Sequence, residues 1–150
     1  MNQQIQMQIE KELKEVRAKD IMSRFAITVK GSDTLSSAAH LMIRFKVSGL
    51  PVVSAEGKII GIITATDLFR LMGEKASSRK ISSEKSDLIR DHMTGEVYTI
   101  EEDTSLFDII ALMHGKNIHT LPVLKMGDIC GIIGRRDVLY TYYKVLDKYQ

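Results

Sequence analysis

The 150-residue chain is poor in the residues that mark specialised classes of protein, with one cysteine, two prolines and no tryptophan. The single cysteine, Cys130, cannot form an internal disulfide, so a reducing, cytoplasmic setting is expected. No apolar run approaches the roughly 18 residues that a membrane span needs, and the polar start at residues 1–4 is unlike a signal peptide. We therefore expect a protein that is neither secreted nor bound to a membrane.

Charge of one sign and catalytic motifs are also scarce. The 21 basic and 19 acidic side chains leave a net charge of +2, too weak to predict nucleic-acid binding. Phosphate-binding loops, dinucleotide fingerprints, zinc-protease motifs and nucleophile elbows are missing. His40, His92 and His114 have no partner at ligand spacing, and Cys130 is predicted to be a buried structural thiol. The sequence thus predicts no catalytic residue and no metal site.

What the chain does contain is an internal repeat. A shift of 71 residues places Asp20 on Asp91 and Met22 on Met93, and Leu-Pro-Val at 50–52 on the same triplet at 121–123. After the loss of one residue in a turn, Gly-Ile-Ile at 61–63 recurs at 131–133. Thirteen identities fall within about fifty positions, where average composition gives roughly three. The sequence is therefore duplicated.

Each copy predicts the same order of elements, a β-α-β-β-α unit in an α+β fold. The predicted bounds are strands at 26–29 and 97–100, hairpins at 50–64 and 121–133, and closing helices from about Thr66 and about Arg136. Ser32 or Asp33 is the predicted cap of the first copy's middle helix, and Asp103 is that of the second.

The segments outside the repeats complete the expected organisation. An apolar stripe predicts an N-terminal helix that either covers its own core or forms a dimer contact: Ile5, Ile9, Leu13 and Val16. A serine-rich, charged segment from Gly73 to Asp87 predicts a solvated linker. The expected domains are the helix at 1–16, repeat 1 at 17–73, the linker at 74–88 and repeat 2 at 89–147. Because each repeat is small, the two are expected to pack together.

Polar residues at the start of the first copy's closing helix are the first candidate site. Thr64, Thr66 and Asp67 follow the preceding strand directly. Hydroxyls and a carboxylate at this position can cap the helix and stabilise its positive end. The same groups can hold a ribose diol, with the free N–H groups of the helix holding a phosphate. The residues alone leave both interpretations open.

The second copy differs at the equivalent place. Gly134, Arg135, Arg136 and Asp137 put two arginines at a helix start, where the macrodipole disfavours cations. The arginines either pair with Asp137, lie exposed in solvent, or bind an anionic ligand such as phosphate.

Taken together, these fragments resemble a tandem pair of cystathionine-β-synthase (CBS) domains, known as a Bateman module. The resemblance rests on Val-Ser-Gly-Leu-Pro-Val-Val at 47–53, Ile-His-Thr-Leu-Pro-Val at 118–123, Gly-Ile-Ile-Thr-Ala-Thr-Asp-Leu at 61–68, and an Asp-x-Met opening in both copies. It covers residues 17–147. It implies two repeats packed around a pseudo-twofold axis with an extra N-terminal helix, and two clefts between the copies.

In that family the clefts bind adenosine-containing ligands. The implied residues of the first cleft are Thr64, Thr66, Asp67, Tyr98, Ile118 and His119. Those of the second are Ile27, Val47, Ser48, His119, Arg135, Arg136 and Asp137. The related gamma subunit of AMP-activated protein kinase uses a histidine on phosphate at the His119 position. The second cleft, with Gly134 and Arg136 where hydroxyls are expected, is implied either to take a more highly phosphorylated ligand or to stay empty.

The resemblance implies a non-catalytic sensor that needs no cofactor. Its regulatory ligand is expected to be AMP, ADP or ATP, with S-adenosylmethionine or NAD as alternatives. The module is expected to be a cytoplasmic homodimer that signals in trans to an effector protein by conformational change. The competing hypothesis is a dimeric protein-interaction scaffold whose pockets are degenerate or empty.

Overall fold

The computed structural model describes residues 2–79 and 86–150 and has an α+β fold. Its helices are α1 (Gln3–Glu15), α2 (Ala18–Ile21), α3 (Leu35–Phe45), α4 (Ala65–Ser78), α5 (Leu106–Gly115) and α6 (Arg135–Asp147), with a 3₁₀ turn at Ile89–Asp91. Its strands are β1 (Val29–Lys30), β2 (Gly49–Val53), β3 (Ile59–Thr64), β4 (Ile100–Glu101), β5 (Thr120–Lys125) and β6 (Asp128–Gly134). The predicted β-α-β-β-α order is confirmed in both repeats.

The two sheets have the same topology, β1-β2-β3 and β4-β5-β6. In each, the first strand runs parallel to the second and the second is antiparallel to the third. Equivalent residues pair, so Leu50 lies opposite Ile63 as Leu121 lies opposite Ile133. Register irregularities fall at the equivalent steps 52–53 and 123–124. The duplication therefore extends from sequence to strand register.

The chain forms two compact units that cut across the repeats. Unit 1 joins the chain up to Ala26 to Tyr98–Gln150, and unit 2 is Ile27–Val97. In unit 1, Ser23 and Ile132 exchange two backbone hydrogen bonds of 2.9 Å. Thr94 and Ile62 do the same in unit 2, at 3.0 and 2.9 Å. The opening segment of each repeat thus packs on the sheet of the other repeat.

Glycine permits this close packing in both units. A Cβ on Gly131 would lie 2.5 Å from Met22 Sδ, and one on Gly61 would lie 2.5 Å from Met93 Sδ. A Cβ atom essentially never lies this close to a non-bonded atom. The repeated Asp-x-Met and Gly-Ile-Ile motifs are therefore two sides of one contact.

Each unit has its own apolar core. In unit 2 the buried side chains come from the sheet, from α3 and from the 3₁₀ turn: Val29, Ala38, Met42, Leu50, Val52, Ile63 and Ile89. In unit 1 the equivalent core contains Ala18, Met22, Ile100, Ile109, Met113, Leu121, Val123 and Ile133. A second cluster in unit 1 holds Ile9, Leu13, Leu106 and Val145.

Helix α1 supplies that second cluster. Ile9 and Leu13 are buried against α5 and α6, and Ile5 and Val16 are partly buried beside them. Of the two roles predicted for the apolar stripe, the contacts show the one in which it covers the core of its own chain.

A polar clamp also ties α1 to the end of α6. Glu12 accepts hydrogen bonds from the Tyr149 hydroxyl and from Lys148 Nζ, the latter at 3.1 Å. The bond from Tyr149 and then that from Lys148 lower the pKa of Glu12 below 4.5, and the same carboxylate raises the pKa of Tyr149 above 10.0.

The structure corrects the predicted strands and caps. The first strand of each repeat is two residues long and begins later than predicted, at Val29 and at Ile100. The caps are Thr34 and Ser105, whose hydroxyls accept backbone N–H groups at 3.1 and 3.2 Å. Asp33 instead accepts the N–H of Lys30 at 2.8 Å and closes the turn before the helix. The caps predicted at Ser32 or Asp33, and at Asp103, are therefore wrong by one or two residues.

Two further predictions change. Helix α4 continues to Ser78, so residues 73–78 of the predicted linker are helical, while residues 80–85 lie outside the described residues. Cys130 is half-buried rather than buried. Burial, and then the charge of Glu102, raises the pKa of its thiol, which disfavours the reactive thiolate.

No helix in the described ranges is long and apolar enough to cross a bilayer.

Candidate functional site

The start of α4 in unit 2 is a capping box. The Thr64 hydroxyl accepts the N–H of Asp67 at 3.2 Å, and Oδ2 of Asp67 accepts the N–H of Thr64 at 2.9 Å. The same hydroxyl donates to that Oδ2 at 2.9 Å. This reciprocal pattern satisfies backbone donors that a helix start would otherwise leave unpaired. The capping role proposed for Thr64 and Asp67 is therefore what the structure shows, whereas Thr66 is exposed on the first turn.

Asp67 is an unusual residue at this position because its side chain is buried. Only 4% of the residue is exposed. Its second oxygen, Oδ1, lies 3.4 Å from Nη2 of Arg70, whose side chain is 55% exposed. The carboxylate therefore has one oxygen bonded to the cap residue and one facing a half-exposed guanidinium. An Asp this close to a helix N-terminus also gains from the macrodipole.

The candidate wall residues of unit 2 lie near this helix start. The carbonyl of Ser48 accepts the N–H of Ala65, the first residue of α4, at 2.8 Å. Ile27, Val47 and Ala65 are partly buried against the same core. Ile27, Val47, Ser48, Thr64, Thr66 and Asp67 are called the threonine half-site below.

Unit 1 builds the equivalent helix start with different groups. Gly134 is the cap residue of α6, and its N–H donates to Oδ2 of Asp137 at 2.8 Å. The N–H of Arg135 donates to the carbonyl of His119 at 3.2 Å, as Ala65 does to Ser48 in unit 2. The carboxylate of the capping box is thus retained, but the hydroxyl is lost.

The arginines of α6 do not pair as the first interpretation predicted. Arg135 donates from Nη2 to Oδ1 of Asn117 at 3.1 Å, rather than to Asp137. Asn117 has a positive φ of 52°, which asparagine tolerates well. Arg136 is exposed on the first turn of α6. Arg135 is therefore held by a neutral partner and Arg136 faces solvent, as the second interpretation predicted.

The apolar candidates of unit 1 lie against its core. Tyr98 and Ile118 are partly buried there, and His119 is half-buried. Nζ of Lys116 lies 5.5 Å from the centroid of the Tyr98 ring, within the range of a cation–π contact. Tyr98, Ile118, His119, Arg135, Arg136 and Asp137 are called the arginine half-site below.

The half-sites can be compared with the predicted clefts. Each predicted cleft draws on both units: the first takes its hydroxyls from unit 2 and its apolar wall from unit 1, and the second does the reverse. Within each unit, the helix start that carries the carboxylate is bonded to the residue before the second strand, by Ala65 to Ser48 in unit 2 and by Arg135 to His119 in unit 1. The assignment of residues to two clefts stays a prediction.

Sequence reasoning missed Arg70, Lys116 and Asn117. Arg70 could have been found, because it lies three residues after Asp67 on the same helix, a spacing that brings side chains together. Lys116 and Asn117 gave no such signal, because their contacts depend on how the loop after α5 turns. In the described part of the chain, no group of three or more His, Cys, Asp or Glu side chains could hold a metal ion.

Comparison with known proteins now decides the family. The sequence model of the CBS domain matches residues 18–74 and 89–144, which is most of the chain. The chain belongs to the CBS domain family.

Curated CBS relatives include whole proteins of different size. A CBS domain-containing protein of Dictyostelium discoideum is 30% identical over 138 residues, covering 88% of this chain and 94% of that protein. Inosine-5′-monophosphate dehydrogenase of Methanocaldococcus jannaschii is 31% identical over 138 residues, covering 89% of this chain but 26% of the enzyme. The chain thus spans about a quarter of the length of several curated relatives that it matches.

Solved CBS domain pairs share the fold. One, in complex with 5′-methylthioadenosine and S-adenosyl-L-methionine, has a TM-score of 0.72 and 27% identity, covering 86% of this chain and 97% of its own. CBSX2 in complex with AMP also has a TM-score of 0.72, with 26% identity, covering 87% and 98%. These similar structures hold adenosine-containing compounds.

Proposed function

We propose that this CBS domain pair is a non-catalytic regulatory module that binds an adenine nucleotide and signals in trans to an effector protein. The observation that carries the proposal is the ligand content of similar CBS domain pairs, which hold AMP or sulfur-containing adenosine compounds. This chain has Asp67 and Asp137 at equivalent helix starts, where a carboxylate can accept hydrogen bonds from a ribose diol.

The proposed ligand contacts are those of the two predicted clefts. In the first cleft, Thr64, Thr66 and Asp67 bind the ribose, and the adenine lies against Tyr98 and Ile118 with His119 beside it. In the second cleft, Asp137 binds the ribose, Arg135, Arg136 and His119 bind phosphate, and Ile27, Val47 and Ser48 form the wall. Partly buried apolar side chains suit a planar base, and N–H groups at a helix start suit an anion.

The chemistry of the half-sites favours phosphorylated ligands of the AMP, ADP and ATP class. Arg135 and Arg136 carry fixed positive charge, and a guanidinium matches phosphate geometry well. S-adenosylmethionine and NAD remain the alternative ligands, since they share the adenosine group that the carboxylates recognise.

Signalling requires that the ligand bind one arrangement of the protein more tightly than another. A ligand can shift a conformational equilibrium only by its difference in affinity for the two states. We infer that the module works as a cytoplasmic homodimer whose ligand-bound arrangement is read by the effector.

The second candidate function is a dimeric protein-interaction scaffold with empty pockets. It is favoured by large apolar side chains left exposed on the helices of each unit, including Ile43 (76%), Phe69 (70%) and Tyr140 (68%). Exposed apolar residues of this size are typical of interaction surfaces when they are contiguous. The two functions differ in whether a small molecule stabilises the protein.

Thermal unfolding with a panel of ligands tests the proposal. AMP, ADP, ATP, S-adenosylmethionine and NAD are each added at increasing concentration, with adenine-free ribose 5-phosphate as the control. A ligand at about 100 times its Kd adds about 2.7 kcal/mol of stability, which raises the Tm by several degrees. We expect a rise with AMP, ADP or ATP. No rise with any adenosine compound would contradict the proposal and favour the scaffold.

A further inference from the structure

Arg70 distinguishes the threonine half-site from its counterpart. Its guanidinium lies 3.4 Å from Oδ1 of Asp67, whereas the equivalent residue of unit 1 is Tyr140, which is exposed with Lys144 beside its ring. Oδ2 of Asp67 already accepts two hydrogen bonds from Thr64. Oδ1 is therefore the oxygen left for a ribose hydroxyl, and Arg70 is the group that lies on it.

The contact between Arg70 and Asp67 is suited to exchange. It is a single long contact made by a half-exposed side chain, and exposed ion pairs of this kind contribute little to stability. A ribose hydroxyl that donates to Oδ1 competes with the guanidinium for the same oxygen. Because Arg70 is anchored one helical turn from Asp67, the released guanidinium stays next to the bound ribose.

A guanidinium released beside a ribose favours one kind of 5′ substituent. It carries five N–H donors and a permanent charge, and it binds phosphate in a bidentate manner. A neutral 5′ group provides no partner for the released guanidinium, so a ligand with such a group gains no contact from Arg70. With a 5′-phosphate, the lost ion pair is replaced by a new one.

We propose that Arg70 makes the threonine half-site select adenosine 5′-phosphates over neutral adenosine compounds. The inference rests on the proposed function, because it concerns the ligand of the same site. It keeps the phosphorylated ligand class of the proposed function, and it assigns the selection at this half-site to a residue outside the repeated motif.

Titration calorimetry with AMP and adenosine tests this inference. The full chain carries Asp137→Asn to weaken the ribose contact of unit 1, and it is compared with the same protein carrying Arg70→Gln. We expect Arg70→Gln to reduce the preference for AMP over adenosine about tenfold, because about one charge-assisted hydrogen bond is lost. Adenosine affinity should stay the same or rise, since no ion pair has to be broken.

Arg44→Gln is the matched control, because Arg44 is an exposed arginine of the same unit that lies over Phe45. It should keep the full preference for AMP. Arg70→Lys, which retains the charge without the planar fork, should retain more of the preference than Arg70→Gln, and it replaces that variant if the glutamine protein does not fold.

The outcomes separate this inference from the proposed function. An AMP preference unchanged within about twofold by Arg70→Gln, or reduced equally by Arg44→Gln, would overturn the role of Arg70 while leaving nucleotide binding in place. Failure of the wild-type chain to bind AMP or adenosine would overturn this inference, and failure to bind ADP, ATP, S-adenosylmethionine and NAD as well would also overturn the proposed function.

Discussion

The two units begin their closing helices with the same carboxylate but with different partners for it. In unit 2, Asp67 is bonded to the N–H and hydroxyl of Thr64 and faces Arg70. In unit 1, Asp137 is bonded to the N–H of Gly134. The duplicated feature is thus the carboxylate that accepts the N–H of the cap residue. The capping hydroxyl of Thr64 and the contact with Arg70 are found in unit 2. We expect the two half-sites to differ in ligand preference because the partners of their carboxylates differ.

The units differ again in what covers their helices. Helix α1 packs in unit 1 on side chains of α5, of α6 and of the residues that follow α6: Ile110, Tyr142, Val145, Leu146 and Tyr149. The equivalent residues of unit 2 are Ala39, Met72, Lys75, Ala76 and Arg79. Because those positions are small, charged or exposed, the described residues of unit 2, 27–79 and 86–97, offer no equivalent apolar surface for such a helix. At these equivalent positions the two copies of the repeat therefore differ in apolar character.

Shortening a buried side chain of α1 should have the largest effect. Leu13→Ala removes an almost fully buried leucine from the unit 1 cluster and should cost about 2–5 kcal/mol of unfolding free energy. Chemical denaturation measures the change. Met7→Ala is the control, because Met7 lies on the exposed face of α1 (64% exposed). Equal losses from the two variants would show that α1 does not pack on unit 1 as described.

Adding a methyl group at the repeated glycine should have the next largest effect, and it should be similar in both units. Gly61→Ala and Gly131→Ala each force a Cβ against a methionine sulfur and a carbonyl oxygen, so each should cost about 1–3 kcal/mol. Gly73→Ala provides the control, since its Cβ meets nothing within 4 Å and should stabilise α4. Neutral results at Gly61 and Gly131 would contradict the close packing.

These glycines show what the sequence could and could not predict. The periodicity of apolar residues and the spacing of turn residues predicted the order of elements, the hairpins and the apolar stripe of α1, because each of these depends on neighbours along the chain. The exchange of opening segments between repeats could not be predicted, because the contact between Met22 and Gly131 joins residues far apart in sequence. The cap at Thr34 was missed because two adjacent polar residues could have capped α3. Asp33 instead accepts the N–H of Lys30 and closes a turn, and Thr34 is the cap.

At the candidate site, the sequence identified the residue types but not their pairing. Thr64 and Asp67 were predicted either to cap or to bind, and the structure shows the cap. The partner of Arg135 was not predictable, because Asn117 is reached through a loop in the left-handed conformation. Arg70 could have been expected beside Asp67, because the two lie three residues apart on one helix.

Exchanging the cap residues of α4 and α6 should change the unfolding free energy by less than the glycine substitutions do. Thr64→Ala removes the capping hydroxyl and should cost about 1 kcal/mol, whereas Gly134→Thr should gain a few tenths. The nearest atom to a Cβ on Gly134 is Oδ2 of Asp137 at 3.7 Å, and φ is −105°, so a side chain fits there. Thermal unfolding measures both changes. A loss of stability from Gly134→Thr would contradict the equivalence of the two capping sites.

The smallest effect expected is a pH dependence of the clamp between α1 and α6. The folded pKa of Glu12 is lowered, so its contribution is present above pH 4.5 and lost as the pH falls through the lowered value. The folded pKa of Tyr149 is raised, so its contribution is present below pH 10.0 and lost as the pH rises through the raised value. The difference in Tm between wild type and Glu12→Gln should therefore be greatest between these limits. A difference in Tm that stays constant as the pH falls well below 4.5 and rises well above 10.0 would contradict the clamp.

The affinity of AMP for wild type and for Asp67→Asn, measured by titration calorimetry, tests the central claim most directly. Asparagine preserves the shape and can accept the N–H of Thr64, but it lacks the charge. Asp33→Asn is the control, since Asp33 also accepts a backbone N–H in unit 2 but lies outside the half-site. The account predicts that Asp67→Asn weakens AMP binding about tenfold or more while Asp33→Asn leaves it unchanged. Equal AMP affinity in all three proteins would contradict it.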